Sequence, residues 1–368
     1  MGIKSLSAFL RKKYPEIFEE VHLSSYRYKK VAIDISNHLC RLKASCGEDR
    51  WLSALIGMIA CLRRYDIHCV FVYDTGAPPE KDDEKKKRIA EREKRDSTLF
   101  ALEEALEEYH RTQTISQILI DYYNEKVNKK SSGKSTRRLL GKPRDGIDMN
   151  FVERCIRTAR SQIFHVSKAD FALTKKLFDV LKIPYFDAPL EAETLAADMC
   201  KTGLVDGVLS EDTDILAYGA PKMLTKLSTV SNSCIQLKHA DILNNMGLDY
   251  KEFVDFCIMC GTDYNNNIPG IGPGKAYKHI TTHGSIENIA RETRIDITPL
   301  KHERGRELFL QYEKMEIRVP HCGVPDFRQV ELFLARNNLR TCVKSLSDAL
   351  TKSSVEIEFA DDDEDLEV

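Results

Sequence analysis

The segment Ser210-Glu211-Asp212-Thr213-Asp214-Ile215-Leu216-Ala217-Tyr218-Gly219 places two aspartates two positions apart, directly after the apolar run 207–209. The apolar run predicts a buried strand that ends in carboxylates. In an extended backbone, residues i and i+2 point to the same side, so Asp212 and Asp214 are expected to share one side of the chain. Two carboxylates held close together repel each other unless a cation or a proton lies between them. The segment therefore predicts a cation site.

Two earlier segments repeat this pattern. Residues 30–36 predict a buried strand with Asp34 near its end, and residues 68–74 predict another that ends in Asp74. A helix predicted over 51–64 lies between them, and strand, helix, strand with apolar runs is typical of a parallel α/β sheet. Ligands of such sheets bind at the carboxyl ends of the strands. Further strands are predicted at 183–187, 223–227 and 234–237.

Acids at predicted strand ends and helix starts form the candidate metal site. They are Asp34, Asp74, Glu191, Glu193, Asp212, Asp214 and Asp263. A set of carboxylates selects hard cations such as Mg²⁺ or Mn²⁺. Each acid also has a structural alternative: Glu191 would stabilise a helix N-terminus that contains Pro189 in its first turn, and Asp212 would cap a turn. Seven acids are too many for one ion and suit two ions about 4 Å apart, the arrangement for phosphodiester hydrolysis.

A glycine-rich turn provides the second signal. Residues 267–276 read Asn-Ile-Pro-Gly-Ile-Gly-Pro-Gly-Lys-Ala. Gly270, Gly272 and Gly274 would let backbone N–H groups approach a phosphate, with a helix N-terminus behind them and Lys275 adding charge. This is typical of non-specific binding to the DNA backbone. The carbonyls of 267–272 could also hold a monovalent cation, and the alternative is a simple turn between two helices.

Charge is unevenly distributed along the chain. The 368 residues carry a net charge of −2, but residues 356–367 hold eight acids and no base, which leaves +6 for the rest. A mildly basic body suits a polyanionic partner without identifying one. Residues 80–96 are almost entirely charged and favour a solvated helix, whereas 126–144, with eight bases and no acid, predict a basic loop.

Cysteine usage indicates the compartment. The eleven cysteines show no paired spacing, and we see no signal peptide or long apolar span. We therefore expect a reducing intracellular compartment, nucleus or cytoplasm, and no membrane association. Cys257 and Cys260 form a C-x-x-C pair among apolar neighbours, which favours small buried helix residues over a redox or metal role.

These motifs, in this order, resemble the flap endonuclease family, the structure-specific 5′ nucleases, over residues 1 to about 290. The residues that carry the resemblance are Met1-Gly2-Ile3, Val31-Ala32-Ile33-Asp34, Phe71-Val72-Tyr73-Asp74, Ile183-Pro184-Tyr185, Ala188-Pro189-Leu190-Glu191-Ala192-Glu193, Ser210-Glu211-Asp212-Thr213-Asp214, Gly261-Thr262-Asp263-Tyr264 and Gly270-Ile271-Gly272-Pro273. The resemblance implies a nuclease with two Mg²⁺ ions, replaceable by Mn²⁺, that cuts DNA at 5′ flaps and junctions, in replication, repair or recombination.

The resemblance also implies roles for single residues. Asp34, Asp74, Glu191 and Glu193 would serve one ion, and Asp212, Asp214 and Asp263 the other. Lys81 and Arg88, seven residues apart and so about two helical turns, would contact the scissile phosphate from one gateway helix. Gly2 would lie near the site and, with Gly270, Gly272, Gly274 and Lys275, contact DNA.

The fold expected from the resemblance is α/β. A mostly parallel central sheet flanked by helices, a PIN-like nuclease core, would carry a helical arch insertion and a C-terminal helix-turn-helix DNA-binding region. The expected division is 1–77 and 165–262 as two parts of the nuclease core, 78–164 as the gateway and arch with the basic loop 126–144, 263–350 as the helix-turn-helix and C-terminal helices, and 351–368 as a disordered acidic tail.

Three departures from the family pattern bear on function. The arch segment is lengthened by the basic stretch 126–144, and Cys40 stands where the family has a base-stacking tyrosine. Residues 329–336 begin like a sliding-clamp peptide but lack its paired aromatics, so clamp binding does not follow. A divergent member from a large DNA virus, located in a viral factory, would fit these losses. We expect a monomer.

Two hypotheses of different classes remain open on the sequence. The first is a Mg²⁺-dependent 5′ flap endonuclease and 5′–3′ exonuclease. Within that class, a preference for gaps, bubbles or four-way junctions is the alternative. The second is a non-catalytic junction-binding member of the same fold, against which the presence of all seven acids argues.

Overall fold

A computed structural model describes residues 2–131, 147–161, 163–339 and 346–350, with side chains for all of these except 129–131 and 161. Most of the basic loop predicted at 126–144 and all of the acidic segment 351–368 lie outside the described residues. The described residues divide into two compact units. The first unit contains the described residues within Met1–Leu42, Arg50–Asp82 and Val166–Val368. The second unit contains the described residues within Lys43–Asp49 and Asp83–His165.

The first unit is built on a mixed sheet. Its strands are β1 (Glu19–His22), β2 (Lys30–Asp34), β3 (His68–Tyr73), β4 (Tyr185–Asp187), β5 (Gly207–Leu209), β6 (Lys222–Ser228) and β7 (Ser233–Lys238). Their spatial order is β1-β7-β6-β5-β2-β3-β4. The five strands from β6 to β4 are parallel, and β7 runs antiparallel between β6 and β1. The predicted mostly parallel sheet is confirmed.

In the first unit, helices flank this sheet. The described part of the second unit is built from helices. Those in the first unit are α1 (Leu6–Lys13), α3 (Trp51–Arg63), α7 (Lys168–Leu181), α8 (Ala192–Lys201), α9 (Asp214–Ala217), α10 (His239–Met246), α11 (Tyr250–Cys260), α12 (Pro273–His283), α13 (Ile286–Glu292), α14 (His302–Leu310) and α15 (Phe327–Arg336). α2 (Ile35–Cys46) begins in the first unit, and the second unit contains α4 (Asp82–Thr112), α5 (Gln117–Ser131) and α6 (Met149–Ser161). No helix among the described residues is both long and apolar enough to span a membrane.

The central strands are buried on both faces because their side chains alternate. Val31 and Ile33 of β2 join one apolar cluster with α3 and α7, whereas Ala32 joins the other with α8 and α11. A two-sided core explains why these strands are continuous apolar runs and not alternating ones. The sheet is thus held rigidly from both sides, and its carboxyl edge is left to carry polar side chains.

Several local predictions were wrong, for identifiable reasons. The strand predicted over 30–36 ends at Asp34, because the Asp34 carboxylate accepts the Asn37 backbone N–H at 3.1 Å and caps α2, which we did not predict. β1 was missed because two of its four residues are glutamates at a sheet edge. Pro189 precedes α8, whose N-cap is Glu191.

The structure shows that side chains of two sequence motifs, the C-x-x-C pair and the segment that begins like a clamp peptide, are buried in helices. Cys257 and Cys260 are buried in α11, as expected of small helix residues. The segment that begins like a clamp peptide lies in α15. Its Val330, Phe333 and Leu334 are buried in the apolar cluster shared with α3 and α7, so these side chains are already occupied by packing.

Candidate active site

Parallel strands bring three of the predicted aspartates to one edge of the sheet. β2 lies between β3 and β5, with Ile33 opposite Phe71 on one side and Leu209 on the other. Asp34 ends β2, Asp74 follows β3 and Asp212 follows β5. Because the three strands run in the same direction, these acids are at the same, carboxyl edge, where ligands of such sheets bind.

Asp212 and Asp214 meet through a turn and not along a strand. β5 ends at Leu209, and Asp214 is the first residue of α9, so the extended geometry predicted for this pair was wrong. Instead, Asp212 Oδ1 accepts the backbone N–H of Asp214 at 3.0 Å, and the Asp212 N–H donates to Ser210 Oγ at 3.0 Å. Both carboxylates are buried, and Asp214 Oδ1 has no hydrogen-bond partner among the described residues.

The backbone at Gly2 packs directly on this pair. Its φ of +79° is a conformation that favours glycine. A Cβ at this position would lie 2.0 Å from Asp212 Oδ1 and 2.8 Å from Asp214 Oδ1, so a side chain is excluded. The predicted position of Gly2 beside the carboxylates is therefore observed, and Gly2 forms one wall of the site.

Glu191 and Asp263 are joined by Lys81. The Lys81 ammonium forms a short ion pair with Glu191 and lies 3.7 Å from Asp263 Oδ2. Glu191 Oε2 also accepts the hydroxyl of Tyr264 at 2.6 Å. This pairing differs from the predicted division of ligands, which grouped Glu191 with Asp34 and Asp74.

A pair of tyrosines supports Glu191 and was not predicted. Because the Tyr264 hydroxyl donates to Glu191, the Tyr218 hydroxyl, 2.6 Å from it, must be the donor to Tyr264. Both tyrosines are buried. They stand inside the quoted motifs at 210–219 and 261–264, but their spacing along the chain carries no sign that they meet. The chain Tyr218–Tyr264–Glu191 fixes the orientation of one carboxylate.

The acids at this edge raise one another's pKa. Burial, followed by the charge of Asp74, raises the pKa of Asp34 well above its usual value, and burial with Asp34 and Asp74 does the same for Glu193. Burial and the neighbouring Asp212 raise the pKa of Asp214. Asp212 also contributes to the raised pKa values of Asp34 and Glu193, so its charge acts on both groups of acids.

The same carboxylates also raise the pKa of Lys81, but in an ammonium group a raised pKa favours the charged form. Burial alone would lower the pKa of its ammonium, but the carboxylates of Glu191, Asp214 and Glu193 outweigh burial and raise it. Lys81 is therefore a fixed positive charge, with its side chain 13% exposed. Its charge offsets part of the repulsion between the acids.

The donor set suits a divalent cation. Within the described ranges, no three His, Cys, Asp or Glu side chains are arranged as the closed ligand set of one ion. The carboxylate chemistry nevertheless fits a hard cation, because several buried acids with mutually raised pKa values gain from an added positive charge. The unpartnered Asp214 Oδ1 is a ligand atom already removed from water. These residues fit the group that the sequence predicted.

The glycine-rich turn lies between α11 and α12. Gly272 is the N-cap of α12 and Gly270 has a φ of +77°, and a Cβ at Gly270, Gly272 or Gly274 would meet no atom within 4 Å. The turn is thus open to a close-approaching ligand. The Lys275 ammonium donates to the Gly270 carbonyl at 2.8 Å, which holds this lysine at the turn. The monovalent cation at 267–272 stays a prediction.

The two predicted basic residues of the gateway do not share one helix. Lys81 ends a short 3₁₀ turn, Pro79–Lys81, and α4 begins at Asp82, so the expected spacing along one helix was wrong. Pro79 accounts for this separate turn, because it fixes the backbone before α4 begins. Arg88 belongs to the second unit, where its guanidinium donates to Glu84 at 3.2 Å.

Comparison with known proteins identifies this fold. Residues 1–95 match the XPG N-terminal domain and residues 182–263 match the XPG I-region. The chain is 33% identical to a probable RAD2-like endonuclease, 076L, of Invertebrate iridescent virus 3, over 84% of this chain and 85% of that protein. It is 30% identical to flap endonuclease 1 of Ostreococcus lucimarinus, over 86% of this chain and 75% of that protein.

Solved structures share the fold at low sequence identity. The catalytic core of Rad2 in complex with DNA substrate matches with a TM-score of 0.62 and 18% identity, over 95% of this chain and 99% of that one. Flap endonuclease-1 from Methanococcus jannaschii matches with a TM-score of 0.59 and 20% identity, over 93% and 99%. Fold and sequence together define a nuclease of the XPG class. The chain belongs to the flap endonuclease family of structure-specific 5′ nucleases, as the motif series indicated.

Proposed function

We propose that this protein hydrolyses DNA phosphodiesters at 5′ flaps and related single-strand/double-strand junctions, with Mg²⁺ as its cofactor and Mn²⁺ as a substitute. The observation that supports this most directly is the acidic edge of the sheet. Its buried carboxylates raise one another's pKa, and Asp214 Oδ1 lacks a partner. Such clustering costs free energy in a protein without a cation, and it is useful in one that binds cations.

The seven acids would have different roles in binding two metal ions. Asp34, Asp74, Glu193 and Asp212 would hold one ion, and Asp212, Asp214 and Asp263 the other. When bound, the ions activate a water and stabilise charge on the phosphate and the leaving oxygen. Glu191, held by Tyr264 and Lys81, would orient this ligand set.

Lys81 has a second role in this proposal. Its ammonium is buried among carboxylates and cannot lose its proton readily, since its pKa is raised. A phosphate entering the site would find this positive charge 3.7 Å from Asp263 Oδ2. We expect Lys81 to exchange part of its carboxylate contact for a phosphate oxygen, which would position the scissile phosphate at the acidic edge.

DNA would be held away from the reacting phosphate by the turn between α11 and α12. Its open glycines and Lys275 suit the duplex backbone, which is bound without reading its sequence. The solved Rad2 complexes contain DNA substrate, which supports a DNA ligand for the same fold. We further propose that 78–164 forms the arch through which the 5′ strand passes, with Arg88 contacting the substrate.

The decisive experiment compares wild type with Asp214→Ala on a 5′-flap substrate. Wild type should cut in Mg²⁺, whereas the variant should bind the flap but lose cleavage by about 10³-fold. Glu211→Gln is the matched control, because Glu211 directly precedes Asp212 yet its carboxylate pairs with Arg41 at 2.7 Å. If wild type binds the flap and leaves it intact in Mg²⁺, the junction-binding alternative replaces the enzyme.

Substrate preference needs a side-by-side measurement. Cleavage of flap, recessed-end, bubble and four-way junction substrates of equal sequence would rank them by kcat/KM. We expect the 5′ flap to lead. A higher kcat/KM for the bubble or the four-way junction would leave the catalytic proposal intact but show that the 5′ flap is not the preferred substrate.

A further inference from the structure

α1 and α12 together carry an unusual concentration of positive charge. The sequences of these two helices, LSAFLRKK and PGKAYKHITTH, contain five lysines and arginines, two histidines and no acid. This contrasts with a chain whose acids outnumber its bases, 57 to 55. The first unit therefore has a local basic surface that the net charge of the chain does not reveal.

Lys13, at the C-terminal end of α1, is fixed on α12. Its ammonium lies 3.5 Å from the ring centroid of Tyr277, and the rings of Tyr14 and Phe9 lie 5.2 and 5.8 Å away. Tyr277 is itself held in place, because its hydroxyl accepts from Tyr14 at 3.0 Å and donates to the Met246 carbonyl at 2.7 Å. A lysine held on an aromatic face in this way has lost much of its rotational freedom.

The charge of Lys13 is not neutralised by an acid in the described part of the chain. None of the ion pairs there involves Lys13, although its side chain is exposed. On α12, burial lowers the pKa of His279, and the charges of His283, Lys278 and Lys275 add to that shift. A positioned, exposed and unneutralised cation is suited to a phosphate.

The two helices also connect the acidic edge to the glycine-rich turn. The backbone just before α1 packs on Asp212 and Asp214 at Gly2, and the other end of α1 reaches Tyr277 on α12. The eight residues of α1 span about 12 Å. That length corresponds to about four base pairs of duplex, at 3.4 Å per phosphate along one strand.

We propose that Lys13 is a duplex-binding residue that extends the glycine-rich turn into a longer phosphate-binding strip formed by α1 and α12. The ligand is the sugar–phosphate backbone of a DNA duplex arm. This inference rests on the proposed function and adds to it a second, sequence-independent contact, about the length of α1, or about four base pairs, away from the acidic edge. Lys13 is assigned to binding and positioning, not to chemistry.

The test measures binding of flap substrates whose duplex arms are about four or about sixteen base pairs long. Fluorescence anisotropy with Ca²⁺ in place of Mg²⁺ gives Kd at several salt concentrations. On the long arm, Lys13→Ala should weaken binding about threefold to tenfold and reduce the slope of log K against log salt by about one. On the short arm, Lys13→Ala should match wild type.

Two variants separate phosphate binding from helix packing. Lys12→Ala removes the same charge from the neighbouring, exposed position, which lacks the aromatic contacts of Lys13 in the described part of the chain, and should leave the salt slope at the wild-type value. Lys13→Arg keeps the charge and should also keep that slope. Thermal unfolding of each variant reports any loss from the Tyr277 contact independently of DNA. An unchanged slope for Lys13→Ala on the long arm, or an equal drop for Lys12→Ala, would overturn the proposal.

The outcomes for this inference and for the proposed function are distinguishable. If wild type leaves the flap intact in Mg²⁺ while the salt slope still depends on Lys13, the enzyme proposal fails and the phosphate-binding strip stands. If wild type cuts the flap and the slope does not depend on Lys13, the inference fails alone.

Discussion

Two acidic regions of the first unit differ in how far their carboxylate charges are neutralised. Around Arg306, the guanidinium donates to both oxygens of Asp255, at 2.5 and 2.6 Å, and to Glu287 at 2.8 Å. This ion-pair network lowers the pKa of Glu287 to about 2, chiefly through the hydrogen bond from Arg306. At the acidic edge, burial and neighbouring acids raise the pKa values of Asp34, Glu193 and Asp214.

The difference shows which of the two regions is built for stability. In the network of Arg306, Asp255 and Glu287, a planar fork matches its carboxylates in number and direction. At the acidic edge, one ammonium lies among carboxylates that repel one another, and Asp214 Oδ1 is buried without a partner. A protein that can satisfy Asp255 so completely elsewhere retains an unbalanced cluster for another reason, and the proposed binding of cations would supply that reason.

The largest effect should come from closing the acidic edge with a side chain. In Gly2→Ala, the Cβ would lie 2.0 Å from Asp212 Oδ1, so the carboxylates must move and cleavage should fall by about 10³-fold. Gly47→Ala is the matched control, since Gly47 has the same positive φ, +77° against +79°, but a Cβ there meets nothing within 4 Å. Flap cleavage and thermal unfolding should separate them: both variants lose some stability, and Gly2→Ala alone loses activity. Equal activities would show that Gly2 tolerates a side chain.

The Arg306 network can be broken by removing its cation. In Arg306→Met, Asp255 stays 3% exposed but loses its partner, which should lower the free energy of unfolding by about 3 kcal/mol. Arg304→Met is the control on the same helix, because Arg304 is half-exposed and pairs with the partly exposed Glu80 and Glu307, so the loss should stay below about 1 kcal/mol. Urea unfolding with and without Mg²⁺ measures both. If Mg²⁺ restored the free energy of unfolding of Arg306→Met, the Arg306 network would bind a cation as we propose for the acidic edge, and the two regions would not differ in this respect.

Removing the lysine from the acidic edge should separate metal binding from catalysis. In Lys81→Met, the carboxylates of Glu191 and Asp263 lose an ammonium that competes with a cation, so stabilisation by Mg²⁺ should increase. Cleavage should nevertheless fall by about 10²-fold, since the charge that meets the phosphate is gone. Melting temperature against Mg²⁺ concentration and flap cleavage are the two measurements, with the exposed Lys251→Met as control. A decrease in Mg²⁺ stabilisation would assign Lys81 to holding the metal ligands.

Sequence reasoning located the acidic edge because apolar runs that end in aspartate mark the carboxyl ends of strands. It placed Asp34, Asp74 and Asp212 on the correct elements for that physical reason. It misjudged how Asp212 and Asp214 meet, since a turn and a strand can both bring i and i+2 together. It gave no sign of the Tyr218–Tyr264 pair or of the Arg306 network, whose members are far apart in sequence and follow no period.

The smallest effect should come from the rim of the Arg306 network and should depend on pH. Glu287 is half-exposed, so Glu287→Gln should lower the free energy of unfolding by less than about 1 kcal/mol at neutral pH. Arg306 and, when protonated, His302 hold the pKa of Glu287 at about 2, below its ordinary 4.5.

A lowered pKa fixes the sign of this dependence. The folded protein binds fewer protons at Glu287 than the unfolded chain does, so the contribution of Glu287 is complete above its ordinary pKa and is lost as pH falls toward about 2. Urea unfolding from neutral pH downward should therefore show a constant gap between wild type and Glu287→Gln that begins to close below about pH 4.5. The exposed Glu303→Gln on α14 should show no such gap. A gap that widened in acid would mean that Glu287 behaves like the carboxylates of the acidic edge, and that the two regions differ in degree alone.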